Sequence, residues 1–490
     1  MGSAAQPDAV RRTTPGPEGP ETHAVVLGAS MAGLLAARVL CDHFTRVTLV
    51  ERDALSEQVQ SRKGVPQGRH LHVLHTKGEE LLNQWFPGLS ADLTASGAAR
   101  LDVPGDVLWF HLGGYNVRFR SGLTTLAMSR PLLEAHVRHR VLKLPNLVCR
   151  QRHEAVTLAM HADRSRVTGI VVRRVPADGL TELIEADLVV DATGRGSRSP
   201  VWLESLGYGR PAETAVNIGI GYTTRLYRQN TAILPDAKAI FIQPTPPHQK
   251  RLGALFPIEG DRWIVTLGGY HDHHAPADER GFLAHARALS APDLHGVLQQ
   301  AEPVSDLVVH GFPSNLRRHY ERMKDFPEGY LVIGDALCSF NPIYGQGMTV
   351  GACEAEALDL MLTKRVATGT HATRGYFAAA ARTIDNAWRI AAGEDFRYTG
   401  VRGPKALGTD IINWYVGRVH KATHRDPAAS AAFIRVLMSL EAPTSLFRPD
   451  IALRTLKSGR SRGLRGLVDL RDTAPRERRG AQKLEDSRLG

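Results

Sequence analysis

The sequence predicts an α/β fold in which a parallel sheet with flanking helices is interrupted by a mostly antiparallel sheet and followed by C-terminal helices. Near the N-terminus, the apolar runs 24–27 and 47–50 flank a helical segment and lack polar alternation, as buried parallel strands do. From 107 to 120 and from 216 to 270, alternating residues and hairpin turns replace that pattern. Parallel-type sequence returns at 329–333, so the first domain is predicted to be discontinuous.

These changes of pattern divide the chain into five predicted units. They are a disordered arm (1–21), a discontinuous nucleotide-binding domain (22–105, 122–205 and 322–375), a substrate domain (106–121 and 206–321), C-terminal helices (376–460) and a basic flexible tail (461–490).

Composition argues against a membrane-spanning, secreted or disulfide-linked protein. The 490 residues are 43% hydrophobic and 23% charged, as in ordinary globular chains, and no apolar run is long enough to span a membrane. Residues 1–20 lack the apolar stretch of a secretory signal, so a cytoplasmic location is expected. The four cysteines are widely scattered, which predicts reduced thiols rather than disulfides or a metal site.

The net charge of +11 is concentrated at the C-terminal end. From Arg454 onward, eleven Lys and Arg stand against five Asp and Glu, so the rest of the chain is closer to neutral. No nucleic-acid partner is therefore predicted. The basic tail is interpreted as a solvated segment, with attraction to an acidic surface or an acidic carrier protein as the alternative.

A glycine loop follows the first predicted strand. Gly28 permits a tight turn, Ser30 is small enough for the backbone to approach a pyrophosphate, and Gly33 lets the helix pack closely on the strand. Met31 and Ala32 begin that helix, whose free amides would face the phosphates. This pattern is typical of a Rossmann-type fold, although the loop alone suits NAD and FAD equally well.

A carboxylate stands about 20 residues beyond the loop, where a Rossmann-type fold needs one. Glu51 ends the second predicted strand and is positioned to bind a ribose diol, and Arg52 beside it is assigned to the same site. The loop and Glu51 together predict adenine dinucleotide binding.

Two later motifs indicate which dinucleotide is bound. Counting the glycine loop as the first motif, the second is Asp187-Leu-Val-Val-Asp-Ala-Thr-Gly-Arg-Gly-Ser-Arg198. The third runs from Gly334-Asp-Ala-Leu-Cys-Ser-Phe-Asn-Pro342 through Gly345-Gln-Gly-Met348 to Gly351. Both resemble motifs of the FAD-dependent monooxygenases of the para-hydroxybenzoate hydroxylase-like superfamily. Thr193 stands where that family usually has Asp, and Cys338 replaces a common histidine.

The resemblance implies a glutathione reductase-like FAD domain and a set of cofactor contacts. Asp335 would bond the ribityl chain, and the amides of Gly345 to Met348 would face the flavin N1 and C2 carbonyl, where reduction places negative charge. The remaining residues that the resemblance assigns to the cofactor are Arg62, Arg130, Gly194, Pro342 and Gly347.

Within the superfamily, the chain is most similar to actinobacterial flavin epoxidases and hydroxylases of natural-product biosynthesis. The segment Gly64-Val-Pro-Gln-Gly68 carries part of that similarity. It implies that FAD, reduced by NADPH or NADH directly or through a flavin reductase, adds O2 at C4a and passes one oxygen atom to a lipophilic small molecule. No protein nucleophile is needed, so no catalytic residue is assigned, and the pocket is expected near Pro342 and Gly345.

Aromatic residues of the antiparallel layer are candidates for the pocket wall, with sheet core as the alternative. They are Tyr222, Phe241, Phe256 and Trp263. His70, His72 and His75 lie close together but lack the spacing and carboxylates of a metal site, so no metal is predicted.

Three other functions compete with oxygen transfer. A reductase of the geranylgeranyl type would share the cofactor fold but saturate double bonds. Flavin-dependent halogenation is disfavoured because the Trp-x-Trp-x-Ile-Pro signature of tryptophan halogenases is absent. A non-catalytic basic binding protein would act through its C-terminal tail.

Overall fold

A computed structural model describes residues 21–176, 179–368 and 372–458. The predicted arm, apart from Glu21, and the predicted basic tail lie outside the described residues.

Strands and helices are interspersed up to residue 339, and helices form the end of the described chain. The strands are β1 (His23–Leu27), β2 (Arg46–Glu51), β3 (Ala99–Asp102), β4 (Val107–His111), β5 (Gly114–Tyr115), β6 (Thr124–Ala127), β7 (Leu147–Gln151), β8 (His153–Met160), β9 (Val167–Arg174), β10 (Thr181–Glu185), β11 (Leu188–Asp191), β12 (Glu213–Arg228), β13 (Ala239–Ile242), β14 (Arg251–Ile258), β15 (Arg262–Tyr270), β16 (Val308–Arg318), β17 (Tyr330–Val332) and β18 (Cys338–Ser339). The helices are α1 (Met31–Leu40), α2 (Thr76–Trp85), α3 (Leu89–Ala95), α4 (Val103–Asp106), α5 (Arg130–Val141), α6 (Ser199–Ser205), α7 (Glu279–Arg287), α8 (Asp293–Leu298), α9 (Gly347–Thr368), α10 (Ala372–Asp395), α11 (Thr409–Ala422), α12 (Pro427–Leu437) and α13 (Pro449–Ser458).

A five-stranded parallel sheet forms the nucleotide-binding part of the fold. Its order is β17-β11-β1-β2-β7, so strands from distant parts of the chain meet at β1. The strands β1 and β11 are buried almost throughout, which explains their continuous apolar sequence. The predicted α/β class with a discontinuous parallel sheet is confirmed.

An eight-stranded sheet forms the second layer. Its order is β18-β16-β12-β15-β14-β13-β4-β5, and all neighbours are antiparallel except β13 and β4. Two smaller antiparallel sheets, β10-β9-β8 and β3-β6, complete the strand structure of the described residues. The large sheet takes its strands from both sides of the predicted domain boundaries, because β18 lies inside the 322–375 segment.

Helices cover the two faces of the large sheet differently. The helices α7 and α8 pack on one face, around Phe282 and Leu294, whereas α11 and α12 pack near Trp109 on the other face. Among the helices of the described residues, none combines the length and apolar character needed to cross a bilayer.

Trp263 lies in the sheet core, the alternative that the sequence left open for this residue. Trp263 pairs with Tyr227 across β15 and β12, and both point toward α7 and α8. Tyr270, seven residues further along β15, points to the opposite face because side chains alternate along a strand. Trp263 is therefore sheet core, only 1% exposed.

We expect Trp263→Ala to lower the free energy of unfolding by about 3–5 kcal/mol, because it leaves a large cavity between the sheet and α7. Urea denaturation followed by circular dichroism measures this loss. Leu183→Ala, at a side chain that is 50% exposed, is the control and should change stability by less than about 0.5 kcal/mol. A small effect of Trp263→Ala would contradict its placement in the core.

Candidate cofactor and substrate site

The glycine loop meets the second motif through close backbone contact. Gly28 has a φ of +97°, and a Cβ on it would lie 2.7 Å from the carbonyl oxygen of Ala192. A Cβ on Gly33 would lie 1.8 Å from the carbonyl oxygen of Gly28. Neither position has room for a side chain, so the two glycines allow the turn and bring α1 against β11.

The third motif contacts the same helix start. Gly334 has a φ of +69°, and a Cβ on it would lie 2.6 Å from the Cβ of Ala32. A Cβ on Gly351, in α9, would lie 3.6 Å from that same atom. All three sequence motifs therefore converge on the first turn of α1, where Met31 is buried.

Glu51 lies beside this turn, as the sequence predicts. Its Oε2 accepts a hydrogen bond from the backbone N–H of Ala29 at 2.7 Å, and its Oε1 accepts one from Asp53 at 2.9 Å. The carboxylate is therefore held in one orientation, and Oε1 keeps a lone pair for a hydroxyl donor. Arg52, the next residue, is exposed.

Arg62 is paired more completely than the sequence indicates. Its guanidinium contacts Glu51 at 3.1 Å, Asp53 at 3.2 Å and Glu134 at 2.8 Å. Burial lowers the pKa of Arg62, but the carboxylates of Glu51 and Glu134 outweigh burial and raise it above its ordinary value. In this structure Arg62 orients the Glu51 carboxylate.

Arg130 begins α5 and reaches the glycine loop. Its Nη2 donates to the Oγ of Ser30 at 2.9 Å, and its Nε lies 3.4 Å from Glu134. The side chain is 8% exposed, so a positive charge is held next to the N-terminus of α1. This placement suits a phosphate group bound at that helix terminus.

The glycine loop, Glu51, Arg130, Asp335 and the start of α9 are together called the cofactor cradle. In this cradle, Asp335 lies near the start of α9. Asp335 Oδ1 lies 3.9 Å from the position that a Cβ on Gly347 would take. Burial raises the pKa of Asp335, while the charges of Arg130 and Arg195 oppose that shift. Pro342 is exposed next to the buried Asn341, Gly347 is exposed next to the buried Gln346, and Met348 is half-buried.

The residues of this cradle fit FAD. Backbone amides at the start of α1, the Glu51 carboxylate, Asp335 and the α9 N-terminus supply donors and acceptors for a pyrophosphate, a ribose and a polyol chain. Gly345 has a φ of +64° and faces Val73 and His75, so its loop has little room for a side chain.

The second motif has a structural role in the turn after β11. Asp191 accepts hydrogen bonds from the backbone N–H of Thr193 at 2.8 Å and from its Oγ1 at 2.6 Å. Thr193 thereby closes the turn that leads to Gly194, whose φ is +79°. Arg195 then donates to the carbonyl oxygen of Ser314 at 2.7 Å and ties this turn to the large sheet.

An apolar cavity of about 240 Å³ lies between the large sheet and the C-terminal helices. The turn that contains Ile343 and Tyr344 forms part of its wall, so the cavity borders the predicted flavin-contact segment. The other lining residues include Trp109, His111, Gln243 and Tyr270 from the sheet and Ile390, Ile412, Val416, His420, Phe433, Val436 and Leu437 from α10, α11 and α12.

Two histidines join the sheet to α11 in this wall. The Nδ1 atoms of His111 and His420 are 2.7 Å apart, so one carries a proton and the other accepts it. Burial lowers the pKa of His111 to about 3 and that of His420 well below its ordinary value. Both rings are therefore neutral at physiological pH, as an apolar cavity requires.

A buried carboxylate organises the turn beside the cavity. Asp395, at the end of α10, accepts hydrogen bonds from Tyr270 at 2.8 Å, Asn315 at 2.7 Å and Asn341 at 2.8 Å. Burial raises its pKa to about 6, although these hydrogen bonds oppose the shift. Asp395 thus holds Asn341, which immediately precedes Pro342.

None of the four aromatic residues predicted for the pocket lines this cavity. Tyr222, Phe241 and Phe256 lie on the same face of the sheet as Tyr270, but Tyr222 contacts His70, and the two phenylalanines pack in the core near Trp109. Sequence reasoning missed the cavity wall because the C-terminal helices carry no motif.

The three neighbouring histidines have separate contacts. His70 Nδ1 lies 2.8 Å from Thr224 Oγ1, His72 Nδ1 lies 3.0 Å from the carbonyl oxygen of His70, and His75 Nε2 lies 3.1 Å from that of Tyr344. Burial lowers their pKa values to about 3, 3 and 4.

We expect the stability of the protein, measured relative to Asp395→Asn, to fall by up to about 3 kcal/mol as the pH rises from 4 to 6. The native Asp395 carboxyl, with a pKa of about 6, holds its proton more tightly than the unfolded one. Its contribution to stability is therefore fully present below pH 4 and is lost as the pH rises through 6. Urea titrations at pH 4, 5, 6 and 7 measure the difference. A difference independent of pH would contradict the raised pKa.

Comparison with known proteins agrees with this geometry. The profile of the family described as FAD binding domain matches residues 21–375. Protein Rv3254 of Mycobacterium tuberculosis is 38% identical over 356 residues, which cover 71% of this chain and 74% of that protein.

Solved structures show the same fold at low sequence identity. The flavin-dependent brominase Bmp2 has a TM-score of 0.63 at 14% identity, covering 89% of this chain and 99% of that one. PqsL, a probable FAD-dependent monooxygenase from Pseudomonas aeruginosa, has a TM-score of 0.55 at 14% identity, covering 84% and 100%. OxyS anhydrotetracycline hydroxylase from Streptomyces rimosus has a TM-score of 0.56 at 18% identity, covering 86% and 76%. The chain therefore belongs to the FAD binding domain family, and its resemblance to para-hydroxybenzoate hydroxylase-like flavoproteins is confirmed at the level of family and fold.

Proposed function

We propose that this protein is an FAD-dependent monooxygenase that inserts one oxygen atom from O2 into a lipophilic natural-product intermediate, by alkene epoxidation or hydroxylation. NADPH or NADH would supply the electrons, directly or through a flavin reductase. The observation that carries the proposal is the apolar cavity that borders the turn Pro342–Tyr344, next to the predicted flavin-contact loop.

The chain's own residues would bind and orient the cofactor. Glu51 would hold a ribose, the α1 N-terminus and Arg130 would hold the pyrophosphate, and Asp335 would hold the ribityl chain. The start of α9 carries the partial positive charge of a helix N-terminus, which would stabilise negative charge on a reduced flavin ring bound there. When bound, FAD supplies the redox and oxygen chemistry.

The cavity wall supports an uncharged, largely apolar substrate. Its aliphatic and aromatic side chains come from three helices and the large sheet, so little water would surround a bound molecule. The neutral His111–His420 pair offers hydrogen bonding without charge. An alkene needs no general base, in keeping with an apolar cavity whose histidines are neutral.

Anaerobic reduction of the purified holoprotein by NADPH, followed by rapid mixing with O2, tests the proposal. We expect a transient absorbance distinct from both oxidised and reduced FAD, because the apolar wall of the cavity would limit the access of water to bound FAD. Reduced flavin that is inert toward O2 would favour the geranylgeranyl reductase type. A protein without bound FAD would overturn the proposal, as would flavin that no electron donor reduces.

We expect Glu51→Gln to weaken FAD binding by about 10- to 100-fold, because a hydrogen bond to a charged carboxylate is worth roughly 1.5–3 kcal/mol. The recovery of flavin fluorescence on dilution measures the dissociation constant. Glu57→Gln removes the same charge from an exposed side chain in the following loop and should leave the affinity unchanged. Equal affinities of the two variants would exclude Glu51 from the cofactor site.

A further inference from the structure

Apolar side chains are exposed on α11 and on the turn before it. Leu407 is fully exposed, Ile411 is 72% exposed and Trp414 is 56% exposed. Ile411 and Trp414 are three residues apart, so they share one face of the helix. Large apolar side chains clustered on a surface mark an interaction site rather than ordinary solvent exposure.

The same face of α11 continues as a basic surface. Arg418 and Lys421 follow Trp414 at helical spacing, and the guanidinium carbon of Arg418 lies 4.6 Å from the centre of a Trp414 ring. Between residues 402 and 425, five basic side chains stand against one acid, Asp410. The surface is therefore complementary to negative charge.

This surface adjoins the cavity. Ile412 and Phe447 are 47% and 51% exposed, and both also line the cavity wall. Ile412 follows Ile411 on α11, so the exposed apolar side chains are adjacent in sequence to the cavity wall.

We propose that Leu407, Ile411, Trp414, Arg418 and Lys421 form a docking face that binds the surface of an anionic lipid bilayer. Apolar side chains with a tryptophan, bordered by Arg and Lys, are the side chains that settle at the boundary between lipid headgroups and acyl chains. Attachment would be peripheral and would place the cavity mouth against lipid. The entry of substrate from the bilayer rests on the proposed function, whereas lipid binding rests on this surface alone.

A second copy of the chain fits this face less well. Two identical docking faces would bring the same excess of positive charge together, which opposes self-association. An acidic protein partner would match the positive charge of this face but would leave its exposed apolar side chains unexplained.

Co-sedimentation of the full-length holoprotein with vesicles tests the docking face. We expect binding to vesicles that contain phosphatidylglycerol, weaker binding to pure phosphatidylcholine vesicles, and loss of part of the binding as salt is raised. The double variant Ile411→Asp/Trp414→Ala should lower the partition coefficient by roughly tenfold or more. An aspartate at 411 lies in the first turn of α11, where a carboxylate favours the helix, so the variant should fold.

The matched control is Leu183→Asp, at an exposed leucine of β10, which should bind vesicles like the wild type. Equal melting temperatures and FAD contents of all variants would show that only the surface has changed. Absence of vesicle binding by the wild type at low salt would overturn the proposal, as would equal binding by wild type and double variant. A dimer that the double variant dissociates, or capture of an acidic protein without any vesicle binding, would assign the face to a protein partner instead. None of these measurements uses turnover, so they are independent of the oxygen test.

Discussion

Backbone contact around the first turn of α1 is the constraint on which the rest of the structure depends. Gly28, Gly33 and Gly334 each approach a neighbouring segment so closely that a Cβ would overlap it. Three segments that are far apart in sequence are thereby held around one helix terminus. Because that contact is made by main chain, the cradle can tolerate Ser30 at the middle position of the glycine loop while keeping its free amides oriented.

The cradle is coupled to the cavity by a buried polar network. Asp395, from the end of α10, holds Asn341, and Asn341 leads into the turn that carries Pro342 and Tyr344. The residues that match the family profile end at 375, in the first turn of α10, so Asp395 at the other end of that helix lies beyond them. The C-terminal helices therefore shape the cavity and also position the turn beside the cofactor cradle.

The cavity wall is mostly apolar, and two of its three charged side chains, Glu394 and Arg397, form an ion pair at 2.6 Å. Burial keeps His111 and His420 uncharged where they line the cavity. Arg418 and Lys421 lie on the outer side of α11, beside exposed apolar side chains. One helix thus presents a neutral apolar surface to the cavity and a basic apolar surface to the outside, which connects the two proposals physically.

Hydrophobic periodicity and glycine requirements are local properties of the chain, so the sequence predicts the parallel and antiparallel layers, the glycine loop and Glu51. Which aromatic residues reach the cavity depends instead on tertiary packing. Alternation along the strands shows that Trp263 and Phe256 lie on opposite faces of the sheet. It does not show that α7 and α8 cover one face, or that the C-terminal helices pack on the other and form the cavity wall. The contacts of Arg62 also depend on tertiary packing. In the sequence it is one basic residue in a loop, and in the fold the carboxylates of Glu51 and Glu134 lie against it. Such contacts depend on how distant segments pack, which no local pattern records.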